Sequence, residues 1–213
     1  MNQPALAIVD YGVGNLRNVQ KAFAAVGVRA AVSGRPADIS AAAALILPGV
    51  GAFGDAVGTL RRRGLAEPVA AAAQSGVPLL GICVGMQLLF DHSDEMGHHT
   101  GLGLIPGRVT RFPAGLTVPH MGWNQIVPAR PHPLLNGIAP GSFAYFAHSY
   151  LCRPEQAAHV IAHTDYHGLF AGVVAHKTIV GIQFHPEKSQ RVGLQLLKNF
   201  ADFCFAGRPS PAA

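Results

Sequence analysis

The sequence is poor in charge. Only 13% of its 213 residues are Asp, Glu, Lys or Arg, while 49% are hydrophobic. That balance excludes a disordered chain and supplies apolar material for one sizeable core. Cysteine is scarce as well: Cys83, Cys152 and Cys204 are odd in number and widely spaced. This excludes a disulfide framework and a cysteine zinc motif. No run of about 18 apolar residues could span a bilayer. The opening MNQPALAIVDYG lacks the basic start, apolar stretch and small-residue cleavage site of a signal peptide. The expectation is a soluble cytoplasmic protein with no membrane partner. The formal charge is +5, but the basic residues are scattered apart from Arg61-Arg62-Arg63. Without interleaved aromatics or a recognised fold motif, they do not point to nucleic acid. The 11 histidines include His98-His99 and His159, His163 and His167, yet none falls in a His-Glu-x-x-His or Cys/His spacing. Neither a metal nor a cofactor is expected.

What is abundant is glycine and proline, 25 and 16 residues, which punctuate short apolar runs. The first half alternates such runs with helical periodicity, as in an α/β protein with a parallel sheet. Strands are predicted at Leu6 to Val9, Val28 to Val32, Leu45 to Leu47 and Leu79 to Ile82. Helices are predicted over Leu16 to Val26, closed by Gly27, over Asp55 to Gln74, closed by Gly76, and over Gly85 to Phe90. From about residue 104 the texture becomes β-rich, with runs at 104–112, 123–127, 143–148, 159–162, 169–176 and 178–184. This suggests a mixed or antiparallel extension of the sheet, followed by a last helix from Val192 to Phe205. Residues 1–206 read as a single domain and 207–213 as a disordered tail.

The sharpest local signal is Leu79-Leu80-Gly81-Ile82-Cys83-Val84-Gly85-Met86-Gln87, a strand, Gly-x-Cys-x-Gly, then a helix. A nucleophile on so tight a turn crowds the residues two positions either side, which explains Gly81 and Gly85. The helix start directs N–H groups toward the sulfur and favours thiolate. The Val84 N–H is placed to meet an oxyanion. About 100 residues downstream, His185-Pro186-Glu187 follows a strand. On extended backbone residues two apart share a side, so Glu187 can orient the His185 ring as a base for the thiol. A third segment, Pro48-Gly49-Val50-Gly51, follows another strand and exposes backbone N–H groups. It has no Lys-Ser/Thr of a phosphate-binding loop, and reads as the second wall of an oxyanion hole, formed with Val50 and Gly51.

These three segments, in this order, resemble the class I (triad) glutamine amidotransferase family over nearly the whole chain. Asp10 to Leu16, Gly101 to Gly107, His120-Met121-Gly122-Trp123-Asn124, Phe146 to Tyr150 and Phe184 to Ser189 narrow the resemblance further. They are similar to the branch comprising the glutaminase subunits of imidazole glycerol phosphate synthases. The resemblance implies a flavodoxin-like α/β fold, with a central, mostly parallel sheet, helices on both faces and an added antiparallel portion. It implies hydrolysis of L-glutamine through a thioester on Cys83, with His185 and Glu187. It also implies glutamine contacts from Gly49, Gln87, Glu95, His148, Ser149 and Tyr150. The ammonia would pass to a (β/α)8-barrel cyclase subunit faced by Asn15, Trp123 and Lys188. A glutaminase of the same class serving another ammonia acceptor stays open, as do core packing for Trp123, a solvated loop for Lys188 and a turn or helix cap for Asn15.

Overall fold

The computed structural model describes residues 6–205. The segment 207–213 lies outside the described residues. In chain order the elements are β1 (Leu6–Val9), α1 (Leu16–Ala25), β2 (Ala31–Ser33), α2 (Pro36–Ala41), β3 (Ala44–Gly49), α3 (Phe53–Arg62), α4 (Ala66–Gln74), β4 (Leu79–Cys83) and α5 (Val84–Gln87). Then follow β5 (Phe90–Ser93), β6 (His99–Thr100), β7 (Ile105–Arg111), β8 (His120–Pro128), β9 (Ser142–His148), β10 (Tyr150–Pro154), β11 (Val160–Asp165), β12 (Leu169–His176), β13 (Ile179–Ile182) and α6 (Gln190–Cys204).

Nine strands form one sheet in the order β2-β1-β3-β4-β13-β12-β11-β8-β9. The first five run parallel and the rest antiparallel. Every residue of β1, β3, β4 and β13 is buried, so these strands carry unbroken apolar runs rather than alternation. Helices supply the cover: α1 buries Val19, Ala22 and Phe23, α3 buries Phe53, Ala56, Val57 and Leu60, and α6 buries Leu196, Leu197 and Phe200. By contrast β8 alternates buried and more exposed positions, as a strand with one solvated face does. Among the described residues no helix is long and apolar enough to cross a membrane.

Three differences from the sequence reading have physical causes. The segment 55–74 is two helices, because Gly64 adopts φ +66° after α3 and Pro68 sits in the first turn of α4. The helix expected over 85–90 stops at Gln87. Backbone N–H groups of Leu102, Gly103 and Leu104 take the carbonyls of Leu88, Phe90 and Leu89, and this tertiary pairing displaces helical bonding. A second sheet of four strands, β10-β7-β5-β6, was also not foreseen. The chain crosses from the large sheet into it at Ser149, between the end of β9 and the start of β10.

The parallel strands β3 and β4 end side by side, with Gly49 opposite Cys83, and β13 ends beside β4, with Ile182 opposite Ile82. This carboxyl edge is where a doubly wound sheet collects its loops, and the three motifs meet there.

Candidate active site

Cys83 terminates β4 with φ +55° and ψ −114°, a left-handed conformation costing a non-glycine residue about 1–2 kcal/mol. The surrounding glycines make the bend possible. A Cβ on Gly81 would lie 2.6 Å from the Gly85 carbonyl oxygen, and one on Gly85 would lie 1.8 Å from the Leu47 carbonyl oxygen. A Cβ on Gly49 would lie 2.6 Å from the Gly85 nitrogen, so β3, β4 and the elbow interlock through three residues without side chains. Gly49 is thereby buried under the elbow and does not itself line the pocket. Tyr11, fully buried, donates its hydroxyl proton to the Pro48 carbonyl at 2.8 Å and holds the end of β3 in one orientation. Burial, together with Cys83, pushes the Tyr11 phenol far above its usual range, so it remains a donor.

His185 follows β13, and its N–H bonds the Tyr145 carbonyl at 2.9 Å. The Ser189 hydroxyl donates to the His185 carbonyl at 2.6 Å and accepts from the Tyr145 N–H at 2.9 Å, stitching this segment to β9. The ring Nδ1 lies 3.0 Å from Glu187 Oε1, with both side chains almost wholly buried. The contact expected from the sequence is made, but by a different route: Pro186–Lys188 is a turn of 3-10 helix rather than extended chain. With Nδ1 committed to the carboxylate, the other ring nitrogen is left to interact with the Cys83 side chain. Burial by itself would depress the His185 pKa. The hydrogen bonds and charges of Cys83 and Glu187 outweigh it and push the ring up to about 10. An imidazolium beside the sulfur is the partner a thiolate needs.

Cys83 opens on a cavity of about 320 Å³ whose lining includes Val50, Gly51, Val84, Gln87, Glu95, His148, Ser149, Tyr150, His185 and Lys188. Of the expected site residues, Glu187 stands behind His185, and Gly49, Asn15 and Trp123 lie off the lining. Gln87 donates to the Tyr150 carbonyl at 3.2 Å and to Gln183 Oε1 at 3.4 Å. Glu95 has one oxygen already engaged, since Oε2 accepts the Phe53 N–H at 2.7 Å and caps α3. Asn15 occupies the N-cap position of α1 through its carbonyl, while its side chain makes no cap bond. Trp123 is not core. It is 47% exposed and meets Tyr145 edge-on at 6.1 Å, and the Lys188 ammonium lies 5.5 Å from the same tyrosine ring.

Sequence reasoning missed two features here. Gln183, fully buried, points Nε2 at the Cys83 sulfur from 3.9 Å. Its signal was a lone amide in the apolar run Ile179 to Phe184. The second is a row of paired side chains behind the pocket wall. His148 Nδ1 bonds the Tyr150 carbonyl at 2.7 Å, and its Nε2 meets His120 Nδ1 at 3.2 Å. His120 Nε2 meets the Asn124 amide nitrogen at 3.1 Å, and that amide also donates to the Asp165 carbonyl at 2.8 Å. One assignment satisfies every partner: His148 is protonated on Nδ1, His120 on Nδ1, and both rings are neutral. Burial is the main reason the His148 pKa falls to about 3, partly offset by the Tyr150 carbonyl and reinforced by the nearby His120 and His185 rings.

Residues 7–203 match the family described as glutamine amidotransferase class-I. The chain belongs to that family. Individual relatives place it more closely. A protein of Syntrophotalea carbinolica named imidazole glycerol phosphate synthase subunit HisH is 51% identical, across 92% of this chain and 99% of its own. A HisH subunit of Moorella thermoacetica is 50% identical, covering 92% and 94%. Among solved structures, one described as a glutamine amidotransferase superposes with a TM-score of 0.75 at 19% identity, over 94% of this chain and 98% of its own. The structure of PurLQS from Thermotoga maritima gives 0.74 at 19% identity, over 95% and 99%. At that identity the likeness concerns fold, and it is the class-I amidotransferase fold.

Proposed function

We propose that this chain is the glutaminase subunit of an imidazole glycerol phosphate synthase in L-histidine biosynthesis. The observation that carries the reading is the convergence of Cys83 and His185, about 100 residues apart in sequence, on one cavity, with Glu187 behind the His185 ring. Cys83 gives its proton to His185, and the sulfur attacks the side-chain carbonyl carbon of L-glutamine. The carbonyl oxygen becomes an oxyanion facing the Val84 N–H and the Val50-Gly51 backbone. His185 returns the proton to the amide nitrogen, the C–N bond breaks, and ammonia leaves a glutamyl thioester. Water, deprotonated by His185, then releases glutamate and restores the thiol. Glu187 holds the ring by Nδ1 throughout. Gln87, Glu95, His148, Ser149 and Tyr150 surround the amino-acid end of the substrate.

The curated relatives are synthase subunits, and this supports delivery of the ammonia to a (β/α)8-barrel cyclase as the second subunit. That partner would cover the exposed apolar side chains of Val50, Met121 and Trp123, which are 41%, 64% and 47% accessible in the isolated chain. Asn15 and Lys188 belong to the same interface.

Replacing Cys83 tests both halves of the reading. In the complex with cyclase, Cys83→Ala is expected to abolish glutamine-driven synthesis while added ammonium salts still support it. Glutamine-driven product from Cys83→Ala would overturn the nucleophile assignment. A wild-type glutaminase rate indifferent to the cyclase and its nucleotide would overturn the partner.

A further inference from the structure

Away from the cavity, the β5–β6 hairpin gathers three metal-ligating side chains that the proposed reaction does not use. His92, Asp94 and His98 each present one ligand atom, and these atoms all lie within 4.8 Å of one another. His98 Nδ1 is 3.8 Å from Asp94 Oδ1, and the His92 and His98 ring centroids are 5.0 Å apart. None of the three lines the pocket that holds Cys83.

The backbone that creates this cluster is not a relaxed turn. Met96 and Gly97 both take positive φ, +52° and +132°, and reverse the chain so that His98 returns over Asp94. The methionine is 81% exposed, so no packing of its own side chain offsets a left-handed cost of about 1–2 kcal/mol.

We propose that His92, Asp94 and His98 bind a divalent transition-metal ion, zinc(II) by preference, with water completing the coordination shell. Two imidazoles and one carboxylate are a ligand set suited to such ions, and three protein donors plus water is a common zinc arrangement. Ligands about 2.0–2.2 Å from an ion stand roughly 3.3 Å apart, so the three must close by between about half an ångström and about 1.5 Å. The Asp94 and His98 side chains are 59% and 68% exposed and free to make that adjustment.

The consequence is structural. Glu95 lies inside the chelate loop between Asp94 and His98, and its carboxylate caps α3 at Phe53, two residues after Gly51. A bound ion would fasten the reversal that carries Glu95, and through it one rim of the pocket.

Cobalt(II) absorption on the untagged full chain is the test, because Cys83, His185 and Glu187 could also capture a metal. One equivalent of cobalt is expected to bind, giving visible ligand-field bands without a thiolate-to-cobalt charge-transfer band, and zinc should displace it. His98→Gln, at an exposed position, should weaken binding roughly ten-fold or more, and combining it with His92→Ala should eliminate it. His167→Gln is the histidine control and should bind as wild type does. No saturable uptake, uptake always accompanied by a thiolate band, or unchanged affinity in His98→Gln would each overturn the proposal.

Discussion

Gly85→Ala puts the smallest possible side chain into the tightest contact of the elbow. The added Cβ would lie 1.8 Å from the Leu47 carbonyl oxygen and 3.2 Å from the Pro48 carbonyl carbon. A carbon resting on a carbonyl oxygen needs about 3.3 Å, so β3 and the elbow must part by about 1.5 Å. Both atoms are backbone, and no flexible side-chain end can absorb the shift. Overpacking of this kind costs about 1–3 kcal/mol, or about 2–4 °C in Tm for each kcal/mol in a chain this long. The larger effect falls on chemistry. Displacing Val50-Gly51 from Val84 by an ångström or more separates the two walls of the proposed oxyanion hole, and misplacement on that scale costs about 10²-fold in rate. Thermal unfolding and glutamine kcat/KM in the presence of cyclase measure the two effects separately. Gly51→Ala is the comparison, since its Cβ meets nothing within 4 Å and carries only the strain of φ +87°. A Gly85→Ala protein with wild-type Tm and wild-type glutamine kcat/KM would refute the interlocked elbow.

Three further outcomes are expected. Because the folded-state pKa of His185 is raised from 6.5 to about 10, its contribution to stability is full below pH 6.5 and is lost as pH climbs toward 10. Urea unfolding of wild type and His185→Gln between pH 6 and 10 should therefore show a gap that narrows with rising pH, and a constant gap would contradict the ion pair. Glu187→Gln keeps the base but loosens its orientation, so kcat should fall, though by less than in Cys83→Ala. Equal kcat for Glu187→Gln and wild type would remove the carboxylate from the mechanism. Glu95→Ala leaves the Phe53 N–H without its acceptor and should cost about 0.5–2 kcal/mol of stability, read by denaturant midpoint; an unchanged midpoint would show that the cap contributes nothing.

The parts of the molecule legible in its sequence were those governed by local pattern. The unbroken apolar runs of β1, β3 and β4 announced central parallel strands, and Gly81 and Gly85 announced the bend at Cys83, whereas β13, read as part of the mixed or antiparallel extension, lies parallel beside β4. Where the sequence reading went astray, contacts distant in the chain decided the outcome. Leu88, Leu89 and Phe90 read as a continuing helix, but residues 102–105 claim their carbonyls, and nothing within 84–90 foretells that. The Glu187 contact was foreseen from i, i+2 alternation, yet a 3-10 turn delivers it, because Ser189 ties the segment to β9. Trp123 could have been core or surface, and only its place on the solvated face of β8 decides. Gln183 and the His120–His148 pair gain meaning only from neighbours 28 to 100 residues away.

The row from Tyr150 through His148 and His120 to Asn124 has a consequence for how charge moves during turnover. Its outer end is an amide, which surrenders no proton at neutral pH, and each imidazole already spends its single N–H on the neighbour toward the pocket. No second arrangement of hydrogens exists that would let a positive charge hop outward. The pocket wall on this side acts as electrical insulation rather than as wire, so no proton drains from the pocket along this row.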